Sequence, residues 1–498
     1  MVPEGSPGRI ELRGLFEELI NNRDSGVYPY HMPGHKRQPC GGLPKELCGM
    51  DITEIDGFDN LHQPEGMLLR LEQAAAKLYG AEESFYLVNG STSGVLSALS
   101  AALPRGGHVL MARNCHKSAY HGAYLRNLQI TYLYPTLYQP LEFFDQVEPA
   151  QVKSALEKEP GIKAVLLVSP TYEGRIQKIH AIADIVHEKG IPLIVDEAHG
   201  AHLGFGGVSP ENSCRAGADL VIHSIHKTLP ALTQAALLHV NGKLIDRQRL
   251  RRFLRIYQTS SPSYLLMASI DNALRFVERE GDEVFGRFAR SYGEMMEKLK
   301  ACKYLKIVPW DRQHQDIGKL VISVAEANIS GRELYDILLH EYGLQLEMAS
   351  ESYVLAMFTV NDSQEGYERM TAALLEIDSR LANRAESALL PSCDDETKIP
   401  AVSSEVRGEL ANSPSDIIPL SEAWDMDTEE IPLEECVGRY SGDFVNLYPP
   451  GVPVLVPGEQ FSKQLCQKVE SWLNTGLTVQ GVRYQDDKIC VKVLVKEE

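Results

Sequence analysis

The chain has 498 residues, 44% of them hydrophobic and 23% charged, with a formal net charge of −19. The length suits about three domains and leaves ample chain for more than one core. The acidic balance argues against nucleic acid as a partner, which needs a basic face, and agrees with solubility and attraction of cationic ligands.

Residues 1–50 read as an N-terminal segment, and its opening, MVPEGSPGRIELRG, holds no apolar signal core. Residues 51–275 read as a large α/β domain. Within it, PEGMLLRLEQAAAKLYGA (64–81) predicts a helix: Pro64 opens it, Leu68, Leu71, Ala75 and Leu78 share a face, and Gly80 stops it. Apolar runs at 84–88, 108–112, 163–168, 191–195 and 219–222 predict short strands buried on both faces. KIHAIADIVHEKG (178–190) predicts another helix. Alternation of strand and helix over 80–240 predicts a mainly parallel sheet covered by helices. Residues 276–385 are helix-rich and more charged, and predict a smaller α/β domain. Residues 386–417 are polar without a period and read as a linker. Residues 418–498 form a third, α+β unit, with a Pro/Gly-rich stretch at 448–460 and a final alternating strand, KICVKVLV. Nine scattered cysteines (40, 48, 115, 214, 302, 393, 436, 466, 490) form no CxxC pair. They predict free thiols in a reducing compartment. No run approaches the ~18 apolar residues of a spanning helix, so the expected location is the cytoplasm, away from membranes.

In an open α/β sheet, ligands bind beyond the carboxyl ends of the strands. Three of these ends carry polar groups. The run SFYLV leads into Asn89-Gly90-Ser91-Thr92-Ser93-Gly94 and then a helical pattern. Hydroxyls and backbone N–H groups at a helix start suit a phosphate, although Ser or Thr there is often only a cap. IPLIV leads into Asp196-Glu197-Ala198-His199, and ADLVIHSIH leads into Lys227. Asp196 and Lys227 are one strand–connection–strand unit apart, which predicts neighbouring strands. A phosphate cradle, an aspartate and a lysine together fit pyridoxal 5′-phosphate: the lysine for a Schiff base, the aspartate for the ring nitrogen. A metal site competes, since His199, His202, His223 and His226 form two HxxH pairs beside Asp196 and Glu197. Neither pair has the i, i+4 spacing of a helical metal site, so no metal is expected. His223 is left to structural packing, and His121, His180 and His187 to the surface or to structural roles.

With these residues in view, the sequence resembles the Orn/Lys/Arg decarboxylase family, fold-type-I pyridoxal phosphate enzymes, in the short bacterial form without an N-terminal wing domain. The matching stretches are YHMPGHKR (30–37), DITEIDGFDNLHQPEG (51–66), FYLVNGSTSG (85–94), RNCHKS (113–118), SPTYEG (169–174), VDEAHGAH (195–202), HSIHKTLPALTQ (223–234), SSPSYLLMAS (260–269) and CVGRYSGDFVNLYPPGVPVLVPGE (436–459). They cover nearly the whole chain. The resemblance implies an aspartate aminotransferase-like large domain with a mainly parallel sheet of seven strands. It implies Lys227 as the Schiff-base lysine, Asp196 as the partner of the ring nitrogen and His116 as the histidine stacked on the ring. Ser91, Thr92, Ser93 and Ser224 would hold the phosphate. His226 would handle protons or lie on the phosphate side. His199 lines the cofactor where large inducible members usually carry tryptophan. Ser260 and Ser261 would reach the phosphate of a neighbouring subunit, implying a homodimer, able to assemble further, with its site at the interface.

The implied reaction is decarboxylation of arginine, lysine or ornithine to agmatine, cadaverine or putrescine. Loss of carboxylate is favoured when that group is left desolvated rather than clamped. Lys227 or His226 would then protonate Cα. A cationic side chain needs an anionic receptor, for which Glu422 in PLSEAW and Glu173 in SPTYEG are candidates; both can equally be ordinary surface glutamates. The lack of a wing domain favours polyamine biosynthesis over acid consumption. Two other functions stay open: another reaction on the same cofactor, such as transamination or a different lyase, and a non-catalytic pyridoxal phosphate protein. A transaminase would need an arginine for the α-carboxylate, and Arg312, Arg332 and Arg369 are available.

Overall fold

Alternating strands and helices over residues 83–240 close into one sheet in the computed structural model, which describes residues 13–39, 41–141, 143–388, 417–449, 451–485 and 488–495. Its strands are β1 (Glu83–Leu87), β2 (His108–Ala112), β3 (Gln129–Leu133), β4 (Ala164–Val168), β5 (Leu193–Asp196), β6 (Leu220–Ser224) and β7 (Ala236–Val240). The order across the sheet is β1-β7-β6-β5-β4-β2-β3. β2 through β6 pair in parallel, and β7 runs antiparallel between β6 and β1. The mainly parallel seven-stranded sheet is therefore present. Helices cover both faces, which is why β5 and β6 are buried along their whole length and read as unbroken apolar runs.

Two of the seven strands have no counterpart among the five apolar runs. β3 is a half-exposed edge strand, QITYL, whose polar residues hide its period. β7 follows the Lys227 turn so closely that its apolar residues merge with the loop. The expected helix over 64–81 forms as Met67–Tyr79 and ends on Gly80 in the left-handed region (φ +76°), a conformation glycine adopts without strain. The helix Gly90–Ala102 lies directly on the sheet. A Cβ at Gly94 would come within 2.7 Å of Leu87 and 2.9 Å of Ile222, so only glycine lets this helix start so close to the ends of β1 and β6.

The helix Tyr264–Leu299 runs unbroken across the expected boundary at 275/276. It leads to an antiparallel sheet made of Lys306–Ile307, Lys319–Ser323, Tyr353–Met357 and Met348–Ala349, in that order. One hydrophobic core joins both sheets, including Ile222, Phe285 and Ile322. The helix Gln364–Ala388 enters the expected linker; residues 389–416 of that linker lie outside the described residues. The last unit has two small sheets and the helix Lys463–Asn474 around a separate core containing Phe461, Val469 and Trp472. It is tied to the tip of β2 by Arg113, which is buried and pairs with buried Glu459 at 2.8 Å.

Candidate active site

Asp196 is the last residue of β5, and β6 ends on Ser224. The two strands pair in parallel with Asp196 opposite Ile222. Their carboxyl ends therefore bring Asp196, Ser224 and, one short turn later (Ile225–Thr228), Lys227 to the same edge of the sheet. Asp196 is buried, and its Oδ1 accepts from the Ala198 N–H at 3.1 Å. Burial raises its pKa, and the positive charge of Lys227 opposes the rise. Burial lowers the pKa of Lys227, against the pull of Asp196 and Glu347.

The third strand end supplies hydroxyls. β1 runs through Asn89 into the helix Gly90–Ala102, and Gly90 makes the turn with φ +70°. Ser224 Oγ donates to Ser91 Oγ at 2.9 Å, and Ser93 Oγ donates to the Gly90 carbonyl at 2.8 Å. Thr92 is exposed at the same helix start. Hydroxyls and free N–H groups thus converge beside Lys227 at the positive end of a helix of thirteen residues.

His116 caps the next helix, Lys117–Leu125, accepting from the Ser118 N–H at Nδ1 (3.2 Å). Its ring is open to solvent, yet enough protein surrounds it to lower its pKa to about 4, through desolvation and then the charge of Lys227. A Cβ on Gly451, in the Pro/Gly-rich loop of the last unit, would lie 4.0 Å from His116 Cδ2. That loop therefore borders the site. His226 is half-buried and fixed by its Nδ1 against the Ala235 carbonyl at 2.9 Å.

His199 is buried and stands between two lysines. Its Nε2 lies 2.9 Å from Lys227 Nζ, and its Nδ1 lies 2.9 Å from Lys319 Nζ. Lys319 is fully buried at the start of the strand Lys319–Ser323, and its ammonium lies 5.3 Å from the centre of the Tyr172 ring. Burial lowers its pKa to about 8, against Asp316 and with Lys227. Tyr172 donates to Glu347, an exposed carboxylate whose charge reaches both lysines. Lys319, Glu347 and Tyr172 escaped the sequence reading. The lone cation in the apolar run KLVIS is the one signal that could have flagged Lys319; Glu347 has none.

The remaining expected residues lie apart from this cluster or have other partners. Glu173 is buried and accepts from the Tyr353 hydroxyl at 2.9 Å. Glu422 is exposed on the short helix Leu420–Ala423, whose neighbour Trp424 stacks on His121. His121 thus takes part in packing the last unit onto the first. Ser260 and Ser261 are exposed on the loop between two helices. The four histidines of the HxxH pairs face different partners. His202 meets Asp316 at 2.7 Å, and His223 meets Glu197 at 2.6 Å. Among the described residues, no three His, Cys, Asp or Glu side chains gather in a metal-holding group. His180 and His187 pair with Glu211 and Asp219. No described helix is long and apolar enough to cross a membrane.

Known proteins share this chain's pattern from end to end. Residues 14–318 match the model of the Orn/Lys/Arg decarboxylase major domain, and residues 407–475 that of the family's C-terminal domain. The uncharacterized protein YaaO of Bacillus subtilis is 30% identical, covering 94% of this chain and 95% of its own. The arginine decarboxylase of Bacillus subtilis is 28% identical, covering 97% of this chain and 98% of its own. Among solved structures, the constitutive lysine decarboxylase of Escherichia coli superposes with a TM-score of 0.79 at 20% identity, over 97% of this chain and 82% of that one. A serine palmitoyltransferase from Sphingomonas wittichii follows 63% of the chain with a TM-score of 0.52 and covers 76% of that enzyme at 17% identity, which is likeness of fold. With the family model matched over more than half of its length and the same strand ends carrying the polar groups, this chain belongs to the Orn/Lys/Arg decarboxylase family.

Proposed function

We propose that the protein decarboxylates a basic amino acid, arginine, lysine or ornithine, to its amine and CO2 with pyridoxal 5′-phosphate as cofactor. One observation carries the proposal: Asp196 and Lys227 stand at the carboxyl ends of adjacent parallel strands, beside a helix start rich in hydroxyls. The residues fit the group. Ser91, Thr92, Ser93 and Ser224 offer hydroxyls where a helix dipole favours an anion. Asp196 offers a buried carboxylate for a ring cation, and His116 a neutral plane to lie on the ring. When bound, the cofactor supplies an aldehyde that condenses with amines and a ring that accepts electrons.

Each residue then has a task that its surroundings permit. Lys227 sits in a partly desolvated site that favours its neutral, nucleophilic form. Asp196, when ionised, would hold a proton on the nitrogen of a ring bound against it, and the charge of Lys227 supports that ionised form. His116 stays uncharged above about pH 5, given its pKa of about 4. Glu347 is open to solvent, oriented by Tyr172, and sits within electrostatic reach of Lys227, so it is the carboxylate best placed to receive a cationic side chain. Glu173 is already engaged by Tyr353. Two of the three candidate arginines are already engaged, Arg332 by Asp336 and Arg369 by the Tyr342 and Gly343 carbonyls, and Arg312 is exposed. This favours decarboxylation over transamination. We place the enzyme in the cytoplasm as a homodimer that buries the Ser260–Ser261 loop against the neighbouring subunit's site.

The test is an amine assay by mass spectrometry. The protein with pyridoxal phosphate is offered arginine, lysine and ornithine separately. One amine with matching CO2, absent with Lys227→Ala, is the expected result. No amine from any of the three overturns the proposal.

A further inference from the structure

We propose that Lys319 is the proton store of Lys227: through His199 it takes up the proton that Lys227 must lose to become a nucleophile, and later returns it. The proposal rests on Lys227 being the covalent lysine of the reaction above. The geometry is two hydrogen-bond distances through one ring, 2.9 Å from Lys227 to Nε2 and 2.9 Å from Lys319 to Nδ1.

A neutral imidazole has one N–H and one lone pair. One flanking lysine can donate to the lone pair, while the other must accept from the N–H. A lysine accepts only as a free amine, so two ammonium groups cannot both bond this ring. His199 is held neutral: burial and the surrounding Lys319, Lys227, His116 and His226 all press its pKa well down. The trio therefore holds one proton between two amines. Transfer is balanced. The ammonium of Lys227 gives a proton to Nε2, Nδ1–H passes its proton to the amine of Lys319, and the ring emerges as the other tautomer. No other reactant is needed.

The surroundings suit each end. Lys319 is fully buried, with Asp316, Glu347 and Glu173 near enough to stabilise an arriving charge and the Tyr172 ring beneath its ammonium. Its pKa of about 8 keeps it close to the working range, as a store must be. Lys227 faces Asp196 and Glu347, with His116 and His199 beside it. Lys319 touches the chemistry only through His199, so it is a positioning residue. Tyr172 packs edge-on against His199 at 4.9 Å and holds the ring in line.

The experiment reads the proton on Lys227 directly. Cofactor-free protein is labelled with trace acetic anhydride across a pH series, and the Lys227 peptide is quantified by mass spectrometry. In the unaltered protein the labelling midpoint should lie below the ordinary lysine value of about 10.4. Lys319→Met removes the acceptor: the midpoint should rise by about one unit and labelling at pH 7.5 should fall about tenfold. Lys319→Arg keeps a permanent donor at Nδ1, forces Nε2–H toward Lys227, and should lower the midpoint. A role in packing alone would move both variants the same way. If the arginine variant does not fold, His199→Phe replaces it and should raise the midpoint. An unchanged or lowered midpoint in Lys319→Met, or a raised one in folded Lys319→Arg, overturns the proposal; so does an unchanged or lowered midpoint in folded His199→Phe. Borohydride trapping of pyridoxal phosphate on Lys227 is measured in parallel. Its failure in the unaltered protein counts against the proposed function, whatever the labelling midpoints do.

Discussion

Asp196 carries its charge in a place where burial opposes it and Lys227 supports it. Replacement by asparagine keeps the shape and removes the charge. If that charge holds the ring nitrogen protonated, Asp196→Asn should cut kcat by about 10²- to 10³-fold, the size of losing one preorganised electrostatic contact. Steady-state CO2 release, with cofactor content checked by absorbance, measures it. Glu347 predicts a different pattern. A charge-assisted bond to the far end of the substrate is worth roughly 1.5–3 kcal/mol, so Glu347→Gln should raise KM about 10- to 100-fold and change kcat much less. The two roles differed in legibility. Asp196 ends a strand, and Lys227 and the Ser91–Ser93 turn each come within a few residues of a strand's end, so local order in the chain pointed to them. Glu347 and Lys319 arrive from the other sheet, more than 90 residues beyond Lys227, and only tertiary packing brings them in.

A buried row of polar groups crosses four adjacent strands at the element scale. Glu197, just past β5, meets His223 of β6 at 2.6 Å; His223 meets His239 of β7 at 3.0 Å; His239 meets Ser84 of β1 at 2.6 Å. The Tyr79 ring packs against both histidines. This gives His223 the structural role expected of it, but through partners that no local pattern could supply. Buried strands of mainly apolar sequence, paired parallel at β5–β6 and antiparallel at β6–β7 and β7–β1, can thus be stitched by polar residues whose fit depends on register. Burial raises the pKa of Glu197 to about 8 and lowers that of His223 to about 3. The sign follows from linkage. A carboxyl with a folded value above its unfolded one adds stability at low pH and loses it as pH rises through about 4.5 to 8. His223 works oppositely, adding stability above its unfolded value of about 6.5 and losing it as pH falls toward 3. Between 4.5 and 6.5 the two slopes cancel, and above 6.5 that of Glu197 stands alone. Glu197→Gln keeps a hydrogen-bonding side chain and removes the titration. Its stability should fall less steeply from pH 6.5 to 8, by up to about 1.4 kcal/mol per pH unit, as read by urea denaturation at several pH values.

Two contacts decide whether the whole molecule works as one body. The first is the ion pair of Arg113 and Glu459, which joins the tip of β2 to the last unit. Both groups are buried, and the guanidinium also donates to the Pro453 carbonyl at 2.6 Å. The second is the surface that a single chain leaves open. Val27, Tyr28, Tyr30 and Met32 are 64%, 58%, 91% and 64% exposed, and the two tyrosine rings lie 4.9 Å apart. Apolar and aromatic residues crowded on one arm mark an interaction surface more often than a solvated one. The Ser260–Ser261 loop is also exposed, although the resemblance assigns it to a phosphate. On the proposed homodimer, a second copy of the chain would answer both facts: the arm would gain a partner, and the loop would reach the neighbouring site. The pair should then sediment at twice the mass of one chain. Tyr30→Asp places a charge at the most exposed of these positions. It should shift the protein toward the monomer in sedimentation velocity and, in the same samples, lower the cofactor retained after dialysis. Loss of cofactor with the dimer intact would assign Tyr30 to the site rather than to assembly, and an intact dimer with full cofactor would remove the arm from the interface.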